Sequence, residues 1–357
     1  MTSPRPERLR TPRGELELPS FLPDATRGVV RAVDVADLRA VGIDALMVNA
    51  LHLGERPGAT VVKSAGGIHA FAGFSGSIFS DSGGYQVFSL IRQSKSNGSI
   101  SERGFTYRGA GKRLELTPRK AIRRQWDLGA DVIFCLDHCT HPADPEELQR
   151  ESVANTVRWA RECAKEHLEL AERAEPVRRP LLFAVVQGGA DRGLRRQCID
   201  ELATIGFDGY GFGGWPVSEG GALEDSVYYV AEELAGRHLH ALGIGSPANV
   251  LAAARAGYAT FDCVIPTRDA RHGRLYLRRP DDTGFTSISA KDERWIRDFG
   301  PVDPTCDCPC CRSISRAYLY HLFALDDHGA YRLATLHNLR FYSRLVESLR
   351  PGRGGGA

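Results

Sequence analysis

Eight short apolar runs, each of strand length, constrain this chain more than any other feature. They occupy 20–23, 45–49, 77–80, 131–137, 181–187, 209–212, 239–244 and 260–264. A strand with one wet face alternates apolar and polar residues. Runs this continuous read as strands buried on both faces, the environment of a parallel sheet covered by helices. Helix punctuation lies between several of them. Thr117-Pro118 opens a helix that Gly129 closes, Asp144-Pro145 opens another with Glu147 as a capping-box partner, and Ser246-Pro247 opens a third that Gly257 closes. Eight buried strands alternating with helices predict an α/β fold of the (β/α)8 barrel type. A doubly wound sheet would want a Gly-rich phosphate turn after the first strand, and Pro23-Asp24-Ala25-Thr26-Arg27-Gly28 is not one.

The chain has 357 residues, 42% hydrophobic and 25% charged, enough for a sizeable core in a soluble globular protein. No stretch approaches the 18 or so apolar residues that would span a membrane, and residues 1–8 carry no apolar targeting segment, so the expected compartment is the cytoplasm. The net charge of +2 does not by itself mark a nucleic-acid binder. Its distribution says more. Arg119, Lys120, Arg123 and Arg124 form one basic cluster, which reads equally well as a solvated face, and Arg268, Arg271, Arg274, Arg278 and Arg279 form another. The pattern divides the chain into a barrel over 1–287, a cysteine-bearing subdomain with closing helices over 288–349 and a flexible tail over 350–357. The Ser/Gly-rich, basic segment 92–113 reads as a long loop at the barrel mouth.

In such a barrel the chemistry sits at the C-terminal ends of the strands. The residues there are Asn49, Asp81, Asp137, Gln187, Gly213-Gly214, Leu242-Gly243 and Asp262. One strand-end aspartate is more often a cap or turn residue; three converging on one mouth, with an amide and a Gly-Gly pair, read as a site. Asp81 precedes a Gly-Gly pair and Tyr85, and Asp262 precedes the arginine-rich loop. A carboxylate beside a stacking surface and arginines points to chemistry on a base attached to a phosphate backbone. The Watson–Crick edge of guanine fits this set. Asp137 matches its N1–H and 2-amino donors, the Gln187 amide and the Gly214 N–H match O6, and Tyr85 and Leu242 are placed to sandwich the ring.

Nine cysteines are present, and four crowd into Cys306-Asp307-Cys308-Pro309-Cys310-Cys311. Cys306, Cys308 and Cys311 with His337 supply three thiolates and one imidazole, a soft set suited to tetrahedral zinc. Four protein ligands leave no open position, so one structural Zn2+ per chain is expected.

These residues together resemble the tRNA-guanine transglycosylases, the (β/α)8 enzymes of queuosine and archaeosine formation. The similarity runs from about Leu18 to Leu349. It is carried by SDSGGYQVFSL at 80–90, DHCTHPAD at 137–144, VVQGG at 185–189, FDGYGFGG at 207–214, GIGSP at 243–247, FDCVIPTRDARHG at 261–273 and the cysteine cluster.

The resemblance implies a pentosyltransferase working by double displacement. Asp262 matches the nucleophile and Asp81 the general acid/base. Asp137, Gln187 and Gly214 match base-recognition positions, with Ser82 and Cys139 flanking them, and Tyr85 and Leu242 match the stacking pair. Arg268 and Arg271 match arginines that hold nucleotides beside the target, and the zinc ligands match one by one. The implied partners are tRNA, read at the anticodon wobble position, and a 7-deazaguanine base. A homodimer formed through the zinc region is also implied. The chain departs from bacterial members at Asp137-His138, at Trp215-Pro216 and at Asn49-Ala50-Leu51, all at the mouth, which keeps DNA open as the alternative acceptor. Two other classes fit less well. A non-catalytic RNA-binding partner subunit would lack the nucleophile motif, whereas Asp262 and Asp81 are both present. A barrel metal hydrolase would want histidines at the strand ends. Since Pro216 has no N–H, the Trp215 carbonyl, backed by Glu219, favours a base with a cationic 7-aminomethyl group over one with a 7-cyano group.

Overall fold

The computed structural model describes residues 5–109, 112–175, 178–279 and 284–351. Eight parallel strands form the barrel: Ser20–Pro23, Ala45–Asn49, Ser77–Asp81, Val132–Phe134, Leu181–Val186, Gly209–Phe212, Leu239–Ala241 and Thr260–Cys263. Neighbours in sequence are neighbours in the sheet, and the eighth strand pairs back onto the first, with Phe261 opposite Phe21 and Asp262 opposite Leu22. The first and second strands close the ring through the Asp24–Met47 bridge, where Ala25 N–H donates to Met47 O at 2.7 Å. Among the described residues no helix is long and apolar enough to cross a membrane.

The barrel interior is a packed layer of Leu22, Met47, Phe79, Val132, Phe134, Phe183 and Val185. The sixth strand contributes almost nothing inward. A Cβ on Gly209 would lie 2.5 Å from the Phe183 ring, and one on Gly213 would lie 2.5 Å from Gln187 Nε2. Phe183 therefore fills the floor while the space above stays open. An N-terminal hairpin, Arg8–Thr11 with Gly14–Glu17, adds Leu9 and Leu16 to this interior core. Sequence periodicity does not reveal it because each strand has only four residues.

The helices at Thr117-Pro118 and Ser246-Pro247 form as expected. Thr117 and Ser246 accept the Lys120 and Asn249 N–H groups, and Gly129 and Gly257 follow the last turns. The third differs. Helix Glu146–Ala171 starts after Pro145 without a side-chain cap, because Asp144 instead accepts from His141 N–H at 2.7 Å and pairs with Arg92 at 2.6 Å. The fourth strand ends at Phe134, not at Asp137. The Gln125 side chain takes both the N–H and the C=O of Phe134, at 2.9 Å each, and ends the pairing with the third strand.

The expected loop at 92–113 is largely a three-stranded antiparallel sheet, Gly98–Ser101, Gly104–Gly109 and Lys112–Leu116. Phe105 and Tyr107 alternate inward, with Phe105 packed 5.2 Å from the Trp159 ring. Its polar, Gly/Ser-rich composition masks a period-2 pattern only four to six residues long. In the first basic cluster, Arg119 and Arg123 clasp the buried Glu166 at 2.6 and 2.5 Å, an ion-pair role on the outer helices. Helix His328–Glu347 packs against helix Ile265–Arg271 and the first strand. Arg350 is tied to Glu17 at 2.7 Å, and residues 352–357 of the expected tail lie outside the described residues.

Candidate active site and metal centre

The mouth holds a cavity of about 340 Å³. It is lined by the expected Asp81, Ser82, Tyr85, Asp137, Cys139, Gly214, Leu242 and Asp262. Register explains the closest contacts. Asn49 and Asp81 are register partners on adjacent strands, so Asn49 Nδ2 donates to Asp81 Oδ2 at 2.8 Å and to Gln86 Oε1 at 2.9 Å. Asn49 also caps the turn beyond its strand, accepting the Leu51 and His52 N–H groups. The Gly83 N–H donates to Asp81 Oδ1 at 3.3 Å. Burial pushes the Asp81 carboxyl up to about 6, with the nearby Asp262 charge adding to the rise and the bonds from Gly83 and Asn49 opposing it.

Asp137 sits three residues beyond the end of its strand, on irregular chain. Gln187 Nε2 donates to its Oδ2 at 2.7 Å, while Gln187 Oε1 is buried without a partner among the described residues. Burial pushes Asp137 up to about 7. The Cys139 thiol lies against Gln187 and the Gly214 N–H, and burial pushes it upward as well. Asp262 is held differently. His240 Nε2 and the Gly243 N–H both meet its Oδ1, at 3.0 and 3.1 Å.

Trp215 and Pro216, which the sequence places at the mouth, also line the cavity, together with Gln86, Phe134, Val185 and Phe212, which it does not single out. Trp215 leans on Tyr85, 5.9 Å between centroids, and on His141, 4.8 Å. Arg195 is fully buried. It donates to Val186 O at 2.6 Å and Gly189 O at 2.9 Å, and its guanidinium lies 4.3 Å over the Phe212 ring, fixing the turn that carries Gln187. Glu219 is exposed and does not line the cavity, so the charge expected behind the Trp215 carbonyl is not there. Its turn, 218–222, folds back on itself through Ser218 N–H to Ala222 O. Arg268 and Arg271 lie outside the cavity on helix Ile265–Arg271. Arg268 is held by Asp269 Oδ1 at 3.2 Å, and Arg271 donates to Thr267 O at 2.8 Å.

The raised carboxyls set a pH dependence. A folded-state value above the ordinary carboxylate range means that the folded state binds protons more tightly than the unfolded chain. The associated stability is complete below about 4 and is lost as pH rises through about 7 for Asp137. Asp137→Asn mimics the protonated form, and rotation of the Gln187 amide can offer its Oε1 to the new Asn N–H. The variant is expected to gain stability over wild type progressively between pH 4 and 7. At about 1.4 kcal/mol per pKa unit the gain is on the order of a few kcal/mol at pH 8. Melting curves across that range check it; a difference independent of pH would contradict the assignment.

Away from the mouth, Cys306, Cys308, Cys311 and His337 are buried together, with their ligand atoms all within 4.8 Å of one another. His337 Nδ1 lies 3.3 Å from Cys311 Sγ, and its Nε2 donates to Tyr276 O at 2.8 Å, so the nitrogen facing the sulfurs is left free to ligate. The cluster could hold a metal ion, and its donor set suits zinc.

The model of a family described as Queuine tRNA-ribosyltransferase matches residues 2–352. A queuine tRNA-ribosyltransferase of Psychrobacter sp. (strain PRwf-1) is 38% identical over 343 residues, covering 94% of this chain and 86% of that protein. Proteins of the same name from Solidesulfovibrio magneticus and Symbiobacterium thermophilum are each 38% identical, and this chain covers 92% and 84% of them. A match that runs through every barrel strand, the mouth and the cysteine cluster at this identity shows that the chain belongs to the queuine tRNA-ribosyltransferase family.

Proposed function

We propose that the protein is a transglycosylase that exchanges guanine in tRNA, at the anticodon wobble position, for a 7-deazaguanine. The observation that carries this reading is the division of labour among three carboxylates around one cavity. Asp262 is anchored by one oxygen, half-buried Asp81 is pushed up to about 6, and Asp137 is paired to Gln187. At about 340 Å³ the cavity is in the range of small-ligand sites.

In the first displacement Asp262 Oδ2 bonds to C1′ of the target nucleoside and the C1′–N9 bond breaks, its electron pair leaving with guanine. Asp81, whose raised value keeps it partly protonated near neutrality, gives the departing base a proton. In the second, the incoming base loses its N9 proton to Asp81, N9 bonds to C1′, and the C1′–O bond breaks with its electrons returning to Asp262. No net proton is consumed. Ionised Asp137 accepts from N1–H and the 2-amino group, and the second hydrogen of Gln187 Nε2 together with the Gly214 N–H serves O6. Tyr85 and Leu242 stack on the ring, with Ser82 and Cys139 at its rim. Arg268 and Arg271 take neighbouring phosphates, so binding should weaken with salt. Cys306, Cys308, Cys311 and His337 would hold a structural Zn2+. The apolar side chains Ile296, Phe299 and Leu325, exposed beside this region, support assembly as a homodimer. A cytoplasmic location fits the tRNA substrate.

Incubation with labelled guanine and either total tRNA or genomic DNA tests the acceptor. Label is expected in tRNA; label in DNA alone would reverse the assignment. The Trp215–Pro216 peptide offers the cavity rim a carbonyl and no N–H, which supports a 7-aminomethyl base over a 7-cyano base even without Glu219. In competition against labelled guanine the aminomethyl base is expected to inhibit more tightly, and the reverse order would refute the preference.

A further inference from the structure

We infer that His240, Thr260 and His238 form a hydrogen-bonded relay inside the barrel that fixes the tautomer of His240 and so orients Asp262 for attack, making His240 a positioning residue. The inference rests on the reading of Asp262 as nucleophile.

Three polar side chains stack beneath Asp262 against the aromatic core of the barrel. Strands Leu239–Ala241 and Thr260–Cys263 pair with His240 opposite Thr260. Residues two apart share a face, so His238 and His240 on one strand, and Thr260 and Asp262 on the next, all point inward. The rungs are closed by hydrogen bonds: His238 Nε2 to Thr260 Oγ1 at 2.9 Å, Thr260 Oγ1 to His240 Nδ1 at 2.8 Å, and His240 Nε2 to Asp262 Oδ1 at 3.0 Å. His240 is fully buried, with Phe79 stacked 5.8 Å and Phe134 5.1 Å from its ring. The slot around His240 is therefore shaped for an aromatic ring.

The dead end of the chain sets its direction. His238 Nδ1 is buried without a partner among the described residues. Burial pushes this imidazole down to about 3, so it is neutral and carries one hydrogen. Placed on Nδ1, that hydrogen would be a stranded donor; placed on Nε2, it is donated to Thr260. Thr260 then has its single hydroxyl hydrogen for His240 Nδ1. His240 is left with its own hydrogen on Nε2, aimed at Asp262 Oδ1. With the Gly243 N–H at 3.1 Å, two donors converge on Oδ1. Oδ2 has no hydrogen-bond partner among the described residues and is the oxygen presented to C1′. The same two donors stand ready for the charge that returns to the carboxylate in the second displacement, and they need no reorganisation to meet it.

His240→Phe keeps a ring in the slot but removes both nitrogens. It is expected to slow formation and resolution of the covalent adduct roughly 10- to 100-fold, with KM for tRNA and for the base within about twofold of wild type. His240→Gln, whose amide nitrogen lies as many bonds from Cβ as His Nε2, is expected to recover most of the rate. Thr260→Val removes only the hydroxyl, and Thr260→Ser restores it. In ¹⁵N spectra of the wild type, His240 is expected as the neutral Nε2–H tautomer, and Thr260→Val is expected to mix or reverse that assignment. The relay is overturned if wild-type His240 is the Nδ1–H tautomer, if Thr260→Val leaves both tautomer and rate unchanged, or if His240→Phe raises KM while leaving kcat intact. A wild type that forms no adduct would overturn the nucleophile reading instead, and the spectra would still decide the relay.

Discussion

Asp262→Asn is expected to abolish base exchange, by roughly 10⁴-fold or more, the scale on which loss of a nucleophile acts. The substitution is close to isosteric, so the cavity should survive. The two donors at Oδ1, His240 Nε2–H and the Gly243 N–H, select the amide oxygen for that position. The amide nitrogen is then turned to where Oδ2 stood, and it has no lone pair free to form a bond to C1′. On a denaturing gel, wild type mixed with tRNA should show a protein–RNA band that the variant lacks; an active variant would sink the assignment. Asp81→Ala separates the two steps. Water can protonate departing guanine, but the incoming base must lose its N9 proton as the new bond forms. Adduct formation should therefore survive better than its resolution, and equal loss of both would argue against Asp81 as the acid/base.

Loss of the metal centre should have the next largest effect. Cys308→Ala is expected to lower stability by several kcal/mol, since binding free energy at a structural zinc site is largely folding free energy. For a chain of 357 residues each kcal/mol is worth roughly 1–1.5 °C, so the melting temperature should fall by about 5 °C. The damage should reach the arginine loop. His337 donates to Tyr276 O at 2.8 Å, the neighbouring Asn338 amide donates to Pro266 O and Arg274 O, and the Tyr276 hydroxyl donates to Asp269 Oδ2 at 2.6 Å. Asp269 in turn holds Arg268. Affinity for tRNA should therefore fall more than affinity for the free base. Metal content, thermal melting with and without chelator, and the two affinities check this; metal-free protein with an unchanged melting temperature would show that the cluster is not a structural metal site.

Much of this was legible in the residues. Near-continuous apolar runs mark strands buried on both faces, and that pattern is local, so the barrel and its strand ends could be placed from the chain alone. Asn49, Asp81, Gln187 and Asp262 follow from the rule that a barrel's chemistry lies at its strand ends. Asp137 was placed correctly at the mouth although its strand stops at Phe134, because Cys135 still pairs with the fifth strand through Phe183 O. The cysteine spacing pointed to a cluster able to hold a metal ion, because three of its four members lie within six residues of one another and only His337 is brought in by the fold. Other features were hidden. The sheet at 98–116 was lost in a polar composition. The exposure of Glu219 depends on a turn closed by its own backbone, which side-chain chemistry does not reveal. The histidine relay needed the most: His238-Leu239-His240 and Thr260-Phe261-Asp262 each show a polar alternation, but alternation states only that two residues share a face. That His240 stands opposite Thr260, beneath Asp262, is decided by the register between two strands twenty residues apart and by closure of the barrel around them, and both are properties of the folded chain.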